Sequence, residues 1–266
     1  MDIINILLHI DINNLKTFNM AIYAFIAIGF VIFIVLFFLT APYGGRHTTT
    51  TWGPLVSSRT GWLFMEIPAS LLFAIYYIMS TEKANPVLIV FFIIWQSHYF
   101  HRAFIFPFYI KSKAKMPLTV AMMGLTFNSV NTYIQGAWLF IFAPIYTYTN
   151  AWFTSPQFII GVIVFYSGYI INKNADSILK ALRDKTQNGY EIPYGGLYNF
   201  ISCPNYFGEI IEWIGWAILT WSFAGAAFAF WTIANLAPRA LANHKWYLSH
   251  FENYPKDRKA LIPYLF

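Results

Sequence analysis

The sequence predicts an all-α integral membrane protein of seven transmembrane helices, N-terminus outside and C-terminus cytoplasmic. Three observations predict it. The 266 residues are 58% hydrophobic and only 11% charged, against about 25% charged in an average soluble domain. The apolar residues fall into seven runs near the ~20 residues that cross a bilayer. The cations are one-sided. With the N-terminus outside, the inside segments hold Arg46, Arg59, Lys111, Lys113, Lys115, Lys173, Lys180, Arg183, Lys185, Arg239, Lys245, Lys256, Arg258 and Lys259. Outside are Lys16 and Lys83, and Arg102 falls within a run; together these are all 17 Lys and Arg. Cytoplasmic loops collect Lys and Arg in this way.

The runs cover 20–41, 61–80, 86–108, 118–144, 151–172, 199–219 and 221–237. Between Asn199 and Leu236 the charges are Glu209 and Glu212, so the last two runs are nearly fused and read equally as one long bent helix with a short one. The first 19 residues lack a basic n-region, and Asp11 interrupts their apolar run; they are not expected to be a signal peptide. One cysteine, Cys203, excludes an internal disulfide and argues against a Cys-based metal site. No basic domain is present to carry nucleic acid. Oligomeric state has no signature.

Ionisable residues inside apolar spans are rare and usually functional. This chain places Glu66, Arg102, Glu209 and Glu212 there. Tyr99 and Arg102 are spaced i, i+3 and His98 and Arg102 i, i+4, so each pair shares a helix face. A neutralising pair of Glu66 and Arg102 would account for two charges, but not for Gln96, His98 and Tyr99 as well. Asn205, Glu209 and Glu212 recur at i, i+4, i+7 as one polar stripe on an apolar helix. Asn172, Asp176 and Lys180 step by four along another helix, with Arg183 a further turn on. GYEIPYGGLY is turn-rich and marks a shaped loop. The tail from Arg239 begins as a basic aromatic helix, suited either to a membrane surface with its cations snorkelling or to covering a phosphate-bearing cofactor. The chain has no GxGxxG, GxxxxGK[ST], HExxH or GxSxG, so any cofactor is held by a non-Rossmann site among the helices. The two histidines of HYFH lack carboxylates close in sequence, and no metal is expected.

HYFHR, IPYGGLY, NYFGEIIEWIGWA and HFENYPKDRKALIPYLF together resemble the steroid 5α-reductases, the 3-oxo-5α-steroid 4-dehydrogenases. The likeness is near-continuous from Ala41 to Phe266. It implies one seven-helix membrane reductase domain over 1–266, with 1–115 mainly the substrate half and 116–266 mainly the cofactor half. It implies NADPH bound from the cytoplasmic side, a 3-oxo-Δ4 steroid entering from the lipid, hydride passing to C5 and protonation at C4. Tyr99 matches the family's catalytic tyrosine and Glu66 its catalytic glutamate, with Glu66 protonated or sharing a proton with Tyr99. Arg102 is expected to set the local field and to belong to the cofactor set. Asn172 and Asp176 match the family's NxxxD, Arg183 its following arginine, Tyr190 the tyrosine before IPxGG, and Asn205 with Glu209 its NxxGE. Arg239, His244, Tyr247 and Arg258 match tail positions. Arg46 with His47, and Lys111 with Lys113, are basic positions suited to the pyrophosphate and 2′-phosphate. Trp62 and Trp213 are placed with the steroid. In departure from the pattern, Asn243 stands where a histidine is common, Tyr43 and Gly44 shift a tyrosine by one place, and two lysines replace arginines after the third span.

Two related chemistries share parts of this pattern. Enoyl-CoA and polyprenol-type reductases keep the cofactor half; the Glu66–Tyr99 combination favours a steroid enone. Membrane methyltransferases of isoprenylcysteine or phospholipid share the YP…R…LIP tail, but NxxxD and IPYGGLY speak against S-adenosylmethionine. A channel built on Glu66, Glu209 and Glu212 leaves the basic tail and the YGG loop without a role. Both a bacterial inner membrane and the endoplasmic reticulum suit a multi-pass chain of this kind.

Overall fold

Inside a bilayer the backbone must satisfy its own polar groups, and a helix does so within one segment. The long apolar runs accordingly become helices. A computed structural model describes residues 14–39, 52–110, 114–185 and 190–266. Arg46, His47, Lys111 and Lys113 lie outside these residues, as do Tyr43 and Gly44. Among the described residues there are seven α-helices: α1 Leu15–Phe38, α2 Ser58–Met79, α3 Pro86–Phe100, α4 Leu118–Ala137, α5 Pro156–Lys185, α6 Pro204–Thr220 and α7 Phe223–His250. A two-stranded antiparallel ribbon, Leu55–Ser57 against Lys115–Pro117, joins the entries of α2 and α4. Among the described residues four helical segments are long and apolar enough to cross a membrane: α1, α2, Pro86–Tyr109 and α5.

Helix ends follow local chemistry. Asn85 caps α3, its side chain accepting from the Val87 and Leu88 amides, and Pro86 occupies a first-turn position where no N–H is needed. α5 continues beyond the apolar run that ends at 172 to Lys185, as the helical spacing of Asn172, Asp176, Lys180 and Arg183 predicts. The nearly fused final runs separate into two helices. Trp221 turns the chain in the left-handed conformation at φ 43°, and the Ser222 side chain restarts it by accepting from the Gly225 amide at 2.9 Å. α7 then continues through Pro238 into the tail.

The chain divides into two compact units: Met1–Ile28 with Tyr43–Ala151, and Gly29–Pro42 with Trp152–Phe266. In the first, α2 packs on α3 and α4. Phe73 stacks on Trp95 with centroids 4.5 Å apart. The Trp95 indole donates to the Ala69 carbonyl at 2.7 Å, and the Gln96 amide to the Ser70 carbonyl at 2.9 Å. α3 ends in a π-helical turn, His101–Ile105, before a 3-10 turn, Phe106–Tyr109. Such widened turns recur at functional sites, and this one carries Arg102.

In the second unit α5 and α6 meet along a glycine seam. Gly161 and Gly168 on α5, and Gly208 and Gly215 on α6, each repeat after seven residues. A Cβ on Gly208 would stand 2.5 Å from the Asn172 backbone nitrogen, and one on Gly161 2.5 Å from that of Leu219. On Gly168 and Gly215 it would press into the backbones of Glu212 and Phe165. Small residues let membrane helices approach backbone to backbone, and this seam draws Asn172 up to Asn205. The C-terminal segment closes the unit: the Ser202 and Cys203 amides donate to the Lys259 and Ala260 carbonyls at 2.8 and 3.2 Å.

Candidate active site

In the first unit Glu66 comes from the middle of α2, two residues before Pro68. It is buried, at 6% exposure. One carboxylate oxygen lies 3.7 Å from an Arg102 guanidinium nitrogen. The other accepts from the Asn128 side-chain amide at 3.2 Å. The Arg102 guanidinium also sits over the Trp62 ring at 4.7 Å and the Phe106 ring at 5.1 Å, while the Trp62 indole donates to the Arg102 carbonyl at 3.2 Å. The cation is thus fixed by two rings and a carboxylate. Removing one member of a buried pair costs about 3–5 kcal/mol, because the other charge is left uncompensated. Tyr99, 4% exposed, lies in the same unit with its ring 4.6 Å from Trp95 and 4.9 Å from His98. A phenol, a carboxylate and a guanidinium inside apolar helices can polarise a carbonyl.

The second unit gathers most of the predicted cofactor residues. Asn172 is buried and donates to the Asn205 carbonyl at 2.9 Å. Asp176 follows it on the same face of α5; Glu209 lies one turn after Asn205 on α6. Tyr198, 1% exposed, is near Cys203, Asp176, Tyr247 and Tyr206, and burial first, then these neighbours, hold its phenol well above the ordinary range, so it stays protonated. Ser202 bonds His244 at 2.7 Å and the Tyr254 hydroxyl at 2.6 Å. Tyr247 stacks on Tyr254 at 5.1 Å, Tyr190 meets Trp246 edge-on, and Asn243 reaches the Tyr206 hydroxyl at 3.5 Å. Arg239 is half-buried on α7. Arg183 stands exposed, bonded to its own helix at Leu179. Trp213 is fully buried between Phe165 and Phe228, and Glu212 is fully buried one residue before it.

Arg258 is 2% exposed. It donates to the Pro193 carbonyl at 2.9 Å and stacks on Tyr194 and Tyr254 at 4.6 and 5.2 Å. It therefore clamps the IPYGG loop to the tail. Lysine keeps the charge but loses the planar fork. Arg258→Lys is expected to cost roughly 1–3 kcal/mol of stability, read as a lower melting temperature of the purified protein.

His244 is held below its ordinary value of 6.5 by burial and then by Lys259. The folded state thus favours the neutral ring. Its contribution to stability is complete above pH 6.5 and is lost as pH falls from there toward the lower folded value. Thermal melts of wild type against His244→Asn are expected to diverge above pH 6.5 and converge in acid.

Asn128 was not among the residues expected. It has neighbours of its own kind: Asn131, Thr132 and Gln135 are buried on the same helix. Asn128, Asn131 and Gln135 recur at i, i+3, i+7, the same signal that marks Asn205, Glu209 and Glu212. Tyr198, Ser202 and Tyr254 carried no such signal, since their convergence depends on pairing between the loop and the tail.

Helices of membrane length, with one buried cluster of ionisable groups and a second cluster of amides, phenols and cations, define a membrane-type all-α enzyme. The sequence profile of the 3-oxo-5-alpha-steroid 4-dehydrogenases matches residues 114–266. The chain is 43% identical over 240 residues to steroid 5-alpha-reductase DET2 of Arabidopsis thaliana, covering 88% of this chain and 90% of that one. It is 40% identical over 253 residues to DET2 of Solanum lycopersicum, covering 94% and 97%. Against human 3-oxo-5-alpha-steroid 4-dehydrogenase 1 the identity is 40% over 228 residues, covering 84% and 85%. The chain belongs to the 3-oxo-5-alpha-steroid 4-dehydrogenase family, a family of oxidoreductases.

Proposed function

We propose that the chain reduces the C4–C5 double bond of a 3-oxo-Δ4 steroid to the 5α-3-oxosteroid, with NADPH as reductant. The carrying observation is the buried Glu66 carboxylate, held by Arg102 and Asn128 in a unit that also buries Tyr99. The names of the relatives support the substrate class.

Reduction at C5 shifts electron density through the enone onto the C3 oxygen. Preorganised donors at that oxygen lower the barrier, as in an oxyanion hole. Tyr99 donates its phenolic hydrogen to the C3 oxygen. Glu66 shares a proton with Tyr99, so that the pair polarises the carbonyl through the Tyr99 hydroxyl, and Arg102 fixes Glu66. Trp62, beside Arg102, contributes an apolar wall for the steroid, whereas Trp213 is packed inside its own unit between Phe165 and Phe228. NADPH, when bound, supplies the hydride that ends on C5; C4 takes a proton.

The second unit's donor set fits this cofactor. Asn172 Oδ1 and the Tyr198 hydroxyl are buried polar atoms with no hydrogen-bond partner among the described residues. An acceptor and a donor of this kind suit a carboxamide or a ribose. Asn172, Asp176, Asn205, Glu209, Tyr190 and Tyr247 bind the nicotinamide and sugar groups. Arg183 and Arg239, with Arg46, His47, Lys111 and Lys113, neutralise the phosphates, which favours NADPH over NADH, and the neutral His244 ring offers the cofactor a hydrogen bond. Arg258 shapes this region by clamping Pro193. A cleft of about 600 Å³ lined by Ile178, Leu182, Lys185, Tyr194 and Phe251 gives the adenosine end room. We place the protein in the endoplasmic reticulum or bacterial inner membrane, with seven spans, N-terminus out and C-terminus cytoplasmic. The lipid bilayer delivers the substrate.

The test incubates detergent-purified protein and NADPH with progesterone, and separately with a long-chain enoyl-CoA, and identifies the products. A 5α-reduced steroid and unchanged enoyl-CoA are expected. Reduction of the thioester with the steroid untouched would reject the assignment.

A further inference from the structure

We propose that Asn128 is a positioning residue for Glu66: its amide holds one carboxylate oxygen while Arg102 stands at the other, so that the carboxylate meets the substrate in a single orientation. This rests on the assignment of Glu66 to carbonyl polarisation. The geometry is specific. The Asn128 amide nitrogen donates both to Glu66 Oε2 at 3.2 Å and to the Met65 carbonyl at 2.6 Å. Its two hydrogens match two adjacent acceptors on α2, a count that a hydroxyl cannot meet. Asn128 is 6% exposed.

The local sequence explains why an asparagine reaches this point. One turn earlier on α4 is Gly124, where a Cβ would stand 2.8 Å from the Met65 sulfur. The helices are close enough there for the short side chain of asparagine to span the gap. The extra methylene of glutamine would drive the amide past Glu66. With Arg102 on one oxygen and Asn128 on the other, rotation of the carboxyl group about its last bond is blocked from both sides. Substrate binding is then relieved of the entropy of ordering this group, which is the contribution expected of a support for a catalytic side chain.

Three variants test it: Asn128→Leu, Asn128→Gln and Asn128→Asp. Each is measured for kcat and KM with a 3-oxo-Δ4 steroid, for NADPH affinity by fluorescence, and for the Glu66 carboxylate band in infrared difference spectra taken against Glu66→Gln. Asn128→Leu is expected to lower kcat by roughly tenfold to a hundredfold, the size of one charge-assisted hydrogen bond, with NADPH affinity unchanged and the carboxylate band shifted. Asn128→Gln is expected not to restore the rate. Asn128→Asp has nearly the shape of the wild type. While protonated it donates to Glu66; once ionised it repels it. Its kcat is expected to fall with rising pH along a limb that wild type lacks, a change that a purely structural asparagine would not produce. Asn128→Asp therefore decides the matter even if the leucine variant does not fold. A pH profile, kcat and carboxylate band identical to wild type in Asn128→Asp would overturn the proposal. The infrared arm needs no substrate. A shifted band in a protein that reduces no steroid would reject the steroid assignment and retain the clamp.

Discussion

Glu66→Gln and Tyr99→Phe are each expected to lower kcat for a 3-oxo-Δ4 steroid by about 10²–10³-fold, the loss on removing a donor from an oxyanion-type site or the carboxyl group that shares its proton. Both are near-isosteric. Glutamine retains an acceptor for Arg102 but loses the charge; phenylalanine keeps the ring on Trp95 and His98 and loses the hydroxyl. NADPH affinity is expected to stay within a few-fold of wild type, because neither side chain belongs to the set assigned to the cofactor. The double variant is expected to be little worse than either single one, since groups that act on the same oxygen are strongly non-additive. Steady-state kinetics with a parallel NADPH titration checks all three statements. Full additivity would place the two side chains in separate steps.

The second large effect lies at the glycine seam. Gly168→Ala is expected to destabilise the protein by about 1–3 kcal/mol, the usual cost of overpacking, and Gly168→Leu to prevent folding. The added Cβ would run into the Glu212 backbone nitrogen and the Gly208 carbonyl. These are main-chain atoms of a neighbouring helix, not the movable end of a side chain, so α5 and α6 must separate. The Asn172–Asn205 hydrogen bond is one turn along the same seam. Gly168→Ala should therefore also weaken NADPH binding while leaving the Glu66–Arg102 cluster intact. Thermal melts with and without NADPH read both effects. An alanine variant that melts like wild type would mean that the seam is looser than its distances state.

Much of the candidate site is legible in the sequence, for a physical reason. An ionisable side chain in an apolar run is costly, so Glu66, Arg102, Glu209 and Glu212 are conspicuous without any knowledge of the fold. Spacing adds which residues share a face. Neither reveals partners from another helix. Asn128 is 62 residues from Glu66 in sequence, and an amide in an apolar helix is less conspicuous than a charge. Glycines at 161, 168, 208 and 215 show a period of seven, yet nothing in one helix says which other helix fills the notch. Arg258 shows the opposite limit. Its place in a basic tail was legible, while its surroundings, a backbone carbonyl and two tyrosine rings, are created by the return of the tail onto the loop. Helix limits depended on the same distinction. Pro86 with Asn85 announces the start of α3, and the four-residue steps from Asn172 announce the continuation of α5, but the left-handed turn at Trp221 required the folded chain.

Hydride addition to C5 of a 3-oxo-Δ4 steroid is the step that the proposed reduction of the C4–C5 double bond stands on. The most direct measurement gives the purified protein NADPH deuterated at nicotinamide C4, with progesterone, and locates the label in the product. A 5α-reduced steroid carrying deuterium at C5 and solvent hydrogen at C4 is expected, formed by wild type and lost in Glu66→Gln. Deuterium at another carbon, a 5β product, or an unchanged steroid beside intact cofactor binding would contradict it.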